Sequence, residues 1–168
     1  FNLPDALVTK YNNEWVKTST QEYINKANAL SRALLNLGIQ KNDKIAVISS
    51  NNRTEWHISD IGILQVGAQN IPIYPTISSE DYEYILNHSE AKYCFVSDQV
   101  VYDKLKEVQS RIPLLIDVYS FNEISGCKKW SDLVTNGADT SNQNIVEERK
   151  NNVLSTDLAT IIYTSGTT

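Results

Sequence analysis

KIAVISSNNRTEWHISDIGILQVGAQNIPIY, residues 44–74, decides the fold. Its opening KIAVIS (44–49) is an apolar run of strand length without alternation, the mark of a strand buried on both faces. Residues 52–69 read as a helix, and NIPIY (70–74) as a second short strand closed by Pro75. Strand, helix and strand in that order form a βαβ unit, whose two strands must run parallel.

The same alternation extends in both directions. Upstream, EWVKTS (14–19) reads as a short strand, and STQEYINKANALSRALLNLG (19–38) as a helix. Ser19 with Glu22 three residues later is a capping-box signature, and Tyr23, Ala27, Leu30, Leu34 and Leu37 recur at helical spacing until Gly38. Downstream, residues 78–89 read as helix, 91–97 as strand, 98–112 as helix and 113–120 as strand. The fold class is therefore α/β: alternating strands and helices forming a mostly parallel sheet flanked by helices. Within residues 78–89, helical spacing puts Tyr82 and Tyr84 on different faces, one in the core and one exposed.

Residues 136–152, NGADTSNQNIVEERKNN, have Ala138, Ile145 and Val146 as their apolar residues and read as a long polar surface connection. After it, residues 158–168, LATIIYTSGTT, read as a last buried strand ending in a cluster of hydroxyls around Gly166. Ligands of open α/β sheets bind beyond the carboxyl ends of the strands, so the loop after Tyr163 is the place to look for a site.

Composition narrows the function classes. With 168 residues, 41% hydrophobic and 21% charged, the chain fits one globular domain able to bury a core. A net charge of -5, from 15 Lys plus Arg against 20 Asp plus Glu, comes without a basic run, so no nucleic acid partner is expected. Cys94 and Cys127 lie far apart without neighbours at metal-ligand spacing, and a reducing, cytoplasmic setting is expected. No stretch is long and apolar enough to be a transmembrane segment, and no leader signal is visible. A chain that opens on Phe1 and contains no methionine is read as part of a longer polypeptide.

Among candidate sites, TSGTT (164–168) supplies four hydroxyls and a glycine that lets backbone N–H groups converge, an arrangement suited to phosphate. A solvated turn is the plainer reading of those five residues alone, but the buried strand before them shifts the balance toward a phosphate loop. Gly62 and Gly67 have the spacing of a nucleotide-binding Gly-Lys-Ser/Thr loop but are followed by Ala68-Gln69 inside a helix, so that loop is absent. His57 and Asp60 read as helix surface, and His88, near a helix end, as a partner of terminal carbonyls. Glu80-Asp81 reads as a helix first turn, and Glu147-Glu148 as solvated.

IIYTSGTT (161–168) resembles the phosphate-binding loop of the adenylate-forming synthetases, the superfamily of acyl-CoA synthetases, firefly luciferase and peptide-synthetase adenylation domains. Residues 34–56, VGAQNIPIYPT (66–76) and YILNHSEAK (84–92) look like its long-chain fatty acid CoA ligase branch, so the resemblance runs from about Glu14 onward. It implies that residues 1–168 are part of the amino-terminal domain of a larger enzyme. That enzyme would activate a fatty acid with ATP to acyl-AMP and transfer it to coenzyme A, with Mg²⁺ as metal. By similarity Thr164, Ser165, Gly166, Thr167 and Thr168 would bind the ATP phosphates, with Thr164 also near Mg²⁺. The remaining catalytic residues would lie beyond Thr168, so residues 1–168 alone are expected to be inactive and to bind no cofactor. The partners implied are fatty acid, ATP and coenzyme A, with membrane contact, if any, peripheral. An aryl- or amino-acid-activating relative and a non-catalytic α/β binding module are the alternatives.

Overall fold

The computed structural model describes residues 1–164. The chain begins with an antiparallel hairpin of β1 (Leu7–Tyr11) and β2 (Glu14–Thr18). Its turn is Asn12-Asn13, both at positive φ, 47° and 70°, which matches the right-handed twist of the strands. Sequence reading identified the second strand and missed the first.

Helix α1 (Thr20–Asn36) starts as the sequence predicts. The Ser19 side chain accepts from the Glu22 N–H, and Glu22 reaches back to the Ser19 N–H. The alternation then proceeds as β3 (Lys44–Ile48), α2 (Thr54–Gln65), β4 (Gln69–Ile73), α3 (Ser79–Ser89), β5 (Ala91–Val96), α4 (Gln99–Lys106) and β6 (Asp117–Ser120). A two-residue strand β7 (Lys128–Lys129), helix α5 (Trp130–Asn136) and helix α6 (Gln143–Asn151) follow. The main sheet has the order β4-β3-β5-β6-β7, with all pairings parallel.

Both faces of this sheet are covered, which is why β3 is apolar without alternation. Ala46 and Ile48 face one core with Tyr82, Leu86, Val101 and Leu105 of α3 and α4. Ile45 and Val47 face the other with Leu30, Leu34, Ile58, Ile63 and Trp130 of α1, α2 and α5. Tyr82 is fully buried and Tyr84 exposed, the division that helical spacing requires.

Two segments differ from the sequence reading. The stretch 136–152 contains helix α6, held by Val146, which is fully buried, and by Arg149, whose Nη1 donates to the carbonyls of Ile39 at 2.7 Å and Val66 at 3.4 Å. These carbonyls lie just past α1 and at the end of α2, where a cation is favoured. One buried apolar residue in nine leaves no helical period to read, so the anchoring is polar and tertiary.

The second is the segment from Leu158 onward. Its backbone makes one parallel bridge, Thr160 opposite Asn70, on the free side of β4. Leu158 and Ile162 are 55% and 59% exposed, while Ile161 and Tyr163 pack against the core. A segment paired on one side at a sheet edge buries alternate residues, not all of them.

Candidate functional site

At the carboxyl end of β4 the chain opens into a cleft of about 620 Å³. Pro72, Ile73 and Tyr74 form its floor, the β4–α3 loop and α3 form one wall through Ile77, Tyr84 and Ile85, and Tyr163 and Thr164 close the other side. The loop wall is clamped from behind. Lys104 Nζ donates to the carbonyls of Pro75 at 2.9 Å and Ile77 at 2.8 Å, and the Tyr82 hydroxyl donates to Pro75 at 2.9 Å. Lys104 also lies over the Tyr82 ring, 5.4 Å from its centre. Because the loop carbonyls are satisfied by groups from α3 and α4, Tyr74 and Thr76 are presented on a fixed backbone.

The opposite wall is held by main-chain pairing. The Asn70 N–H donates to Ala159 at 3.1 Å and the Ile161 N–H to Asn70 at 3.3 Å, while the Thr160 hydroxyl donates to the Asn70 carbonyl at 2.8 Å. Asn70 in turn donates through Nδ2 to Asp60 at 2.8 Å, so Asp60 supports the edge strand. His57 is edge-on to Trp56, and its carbonyl accepts from the Tyr23 hydroxyl. His57 and Asp60 thus serve structure.

His88 departs from expectation. Its Nδ1 lies 2.7 Å from the Tyr163 hydroxyl, where a partner of helix-end carbonyls was expected. Tyr84 stacks on His88 with ring centres 5.5 Å apart and meets Tyr163 edge-on at 6.5 Å. Burial, with Tyr84 beside it, pushes the Tyr163 phenol above its ordinary value, so it is protonated at neutral pH. Tyr84 and His88 are four apart on one face of α3, a spacing visible in the sequence, but their partner is 75 positions from His88 and has no local signature.

Of the predicted phosphate-binding residues, Thr164 lines the cleft, and Ser165, Gly166, Thr167 and Thr168 lie outside the described residues. Among the described lining residues Asp81 is the one charged side chain, and its Oδ2 is engaged by the N–H and hydroxyl of Ser78 in the capping box of α3. The cleft therefore offers neutral hydroxyls and apolar walls. No group of three His, Cys, Asp or Glu side chains converges among the described residues. Thr76 and Thr164 line the cleft with two neutral hydroxyls, hard oxygens that would accept an ion arriving on a phosphate but are too few to hold a resident one.

A second polar cluster occupies the carboxyl ends of β3, β5 and β6. Buried Arg53 donates through Nε and Nη2 to both oxygens of Glu55, at 2.9 and 2.8 Å, and through Nη1 to Asn122 at 3.0 Å. The Tyr11 hydroxyl donates to Glu55 at 2.6 Å, and the guanidinium packs over the Tyr11 and Phe121 rings. Burial, then Glu55, pushes the Tyr11 phenol up to about 12. Every charged group here is spoken for, so the cluster fastens the hairpin to the sheet.

Comparison with known proteins agrees with this geometry. The family described as AMP-binding enzyme matches residues 2–168. The long-chain-fatty-acid–CoA ligase FadD15 of Mycobacterium bovis is 34% identical over 154 residues, covering 92% of this chain and 25% of the relative. The long-chain-fatty-acid–CoA ligase ACSBG2 of Xenopus laevis is 27% identical over 97% of this chain and 22% of its own length. The chain thus spans about a quarter of the length of these relatives. Among solved structures, a Mycobacterium tuberculosis fatty acyl CoA synthetase superposes with a TM-score of 0.73 at 19% identity, covering 89% of this chain and 28% of that one. An anthranilate CoA ligase, AuaEII, in complex with anthranoyl-AMP gives 0.68 at 21% identity, over 79% of this chain and 24% of that one. At these identities the two structures speak for the shared fold.

Proposed function

The chain belongs to the family of AMP-binding enzymes, and from that premise we propose that the whole protein is an AMP-forming acid–thiol ligase acting on long-chain fatty acids. The observation that carries this reading is the 34% identity to a long-chain-fatty-acid–CoA ligase across 92% of the chain. In the first step the fatty acid carboxylate attacks the α-phosphorus of ATP, forming acyl-AMP as the bond to pyrophosphate breaks. In the second the thiol of coenzyme A attacks the acyl carbon, giving the thioester, AMP and a proton.

The residues of this chain would act in the first step. As pyrophosphate departs, negative charge accumulates on it, and donors already aimed at that position stabilise the transition state more than the ground state. Thr164, at the lip of the cleft, and Ser165, Gly166, Thr167 and Thr168 after it would supply hydroxyl and N–H donors. Thr164 is the residue we assign to Mg²⁺, which when bound neutralises phosphate charge. Thr76, on the clamped β4–α3 loop, would lie on the facing wall, with Tyr74 in the floor.

A cytoplasmic location belongs to the same proposal and accords with two unpaired thiols, Cys94 and Cys127. No helix among the described residues is long and apolar enough to cross a membrane, and contact with a lipid surface would be peripheral.

The test is to give the full-length protein Mg·ATP, coenzyme A and a panel of acids. Long-chain fatty acids are expected to release AMP and pyrophosphate and to yield a thioester. If they are inert while aryl or amino acids drive pyrophosphate exchange, the substrate class is wrong. If no acid does so, the ligase reading is wrong.

A further inference from the structure

Tyr163 is the residue immediately before Thr164, so its Cα lies about 3.8 Å from that of Thr164, and whatever holds Tyr163 also aims Thr164. The main-chain bridge at Thr160 ends its grip with the Ile161 N–H. Ile162 faces solvent. Beyond that point the described segment is held by the Tyr163 side chain, whose hydroxyl lies 2.7 Å from His88 Nδ1 and also meets the Ser89 side chain. Three rings meet here: Tyr84 stacks nearly parallel to His88, at 20°, while Tyr163 stands almost perpendicular to both. The hydrogen bond lies at the surface, and what restricts the Tyr163 ring is its edge-on contact with both neighbours, which leaves it few alternative rotamers.

The helix has no structural need of His88 at this position. The end of α3 is closed by Glu90 in the left-handed conformation, with its N–H directed to the carbonyls of Asn87 and Leu86. Nor is the imidazole needed in the core, to which α3 contributes Tyr82, Ile85 and Leu86. Its polar contact is with the segment that leads into the cleft.

We propose that His88 is a positioning residue for nucleotide binding: by holding the Tyr163 hydroxyl, with Tyr84 as brace, it fixes the direction in which the chain leaves the sheet edge and presents Thr164 to the ATP phosphates. This rests on the reading of residues 164–168 as a phosphate loop. The pair orders the loop entrance before nucleotide arrives, so the ordering cost is not drawn from binding. Its contribution appears in affinity for Mg·ATP and leaves affinity for the acid unchanged.

The test uses the full-length protein with His88→Ala, Tyr163→Phe, the double variant and His88→Gln, whose amide can still bond the hydroxyl. KM for Mg·ATP in pyrophosphate release is expected to rise about 3- to 10-fold in each of the first two, the factor that one hydrogen bond of ordinary net strength represents. The double variant should be no worse than Tyr163→Phe alone, because the His88 contact is already lost when the hydroxyl is removed. His88→Gln should recover most of the loss, and KM for the fatty acid should stay put.

Hydrogen exchange of the peptide beginning at Tyr163 provides a readout independent of activity and should speed up in His88→Ala and Tyr163→Phe. An active wild type whose variants keep the wild-type KM for Mg·ATP, or whose single effects multiply in the double variant, overturns the proposal. Faster exchange in a protein that has no ATP-dependent activity would retain the anchor and discard the phosphate-loop reading, and with it the role proposed for His88.

Discussion

Arg53 and Glu55 are opposite charges that the fold takes out of water together. Burial by itself would raise the Glu55 carboxyl, but hydrogen bonds from Arg53 and Tyr11 and the Arg53 charge outweigh it and hold the group below its ordinary value of 4.5. A carboxyl with a depressed folded pKa contributes stability above its unfolded pKa and loses that contribution as pH falls through the folded one. Stability is therefore expected to decline as the pH drops below 4.5. Glu55→Gln should cost about 3 kcal/mol at neutral pH, because it leaves Arg53 buried without its counter-charge. It should also flatten the acid limb. Denaturant unfolding of wild type and variant across about pH 3–7 reads both effects, and a variant as stable as wild type at neutral pH would sink this account. Gly166 lies outside the described residues, so its prediction follows from the proposed loop. Gly166→Val is expected to slow adenylation on the order of 100-fold or more, since a β-branched side chain stiffens the turn and crowds the phosphate oxygens. Pyrophosphate exchange measures it, and near-normal exchange in a folded variant would remove the loop from the mechanism. Neither the Arg53 clamp nor the His88–Tyr163 pair was legible at this scale. In each, the sequence shows one partner in an ordinary local setting, and the contact that gives it meaning comes from another element.

Helix α1 and helix α6 mark the two extremes of what an element reveals about itself. In α1 a capping box and a repeating apolar stripe lie within 20 residues, so local sequence states both where the helix begins and which face is buried. In α6, Val146 and the reach of Arg149 to Ile39 and Val66 do the holding. The junction of α5 with α1 depends on a residue that sequence reading passed over. A Cβ on Gly137 would lie 1.8 Å from the backbone oxygen of Ala29 and 2.7 Å from its carbonyl carbon. The Gly137 carbonyl also accepts from Arg32 Nε at 2.7 Å. Because the obstacle is helix backbone, Gly137→Ala must push α5 away from α1 and break that bond. The expected loss is at the upper end of the ~1–3 kcal/mol that overpacking costs. A denaturation midpoint unchanged from wild type would show that the α5 junction yields more easily than the contact implies.

At the scale of the whole molecule, the sheet and its two cores are assembled from residues 27–146, and the cleft lies at one margin of them. Residues 1–168 by themselves are therefore expected to fold cooperatively yet to bind Mg·ATP no tighter than about millimolar, since a triphosphate requires concentrated positive charge. Asp81 is the charged side chain among the described lining residues, and the last basic residue before the loop is Lys150, paired with Glu147 on α6. Calorimetric titration beside the full-length protein checks this, and micromolar binding by residues 1–168 would show that they hold more of the site. What the sequence by itself determined is the alternation from α1 to β6 and the doubly covered sheet. Each is written in local periodicity and capping, which act over at most a few turns. What the tertiary structure alone decided is the hairpin's attachment, the α6 anchor, the single-sided pairing of the last segment and the pairing of His88 with Tyr163. These depend on groups 40 to more than 100 positions apart meeting at a defined distance. Such meetings are set by how the layers pack and leave no periodic trace in the chain.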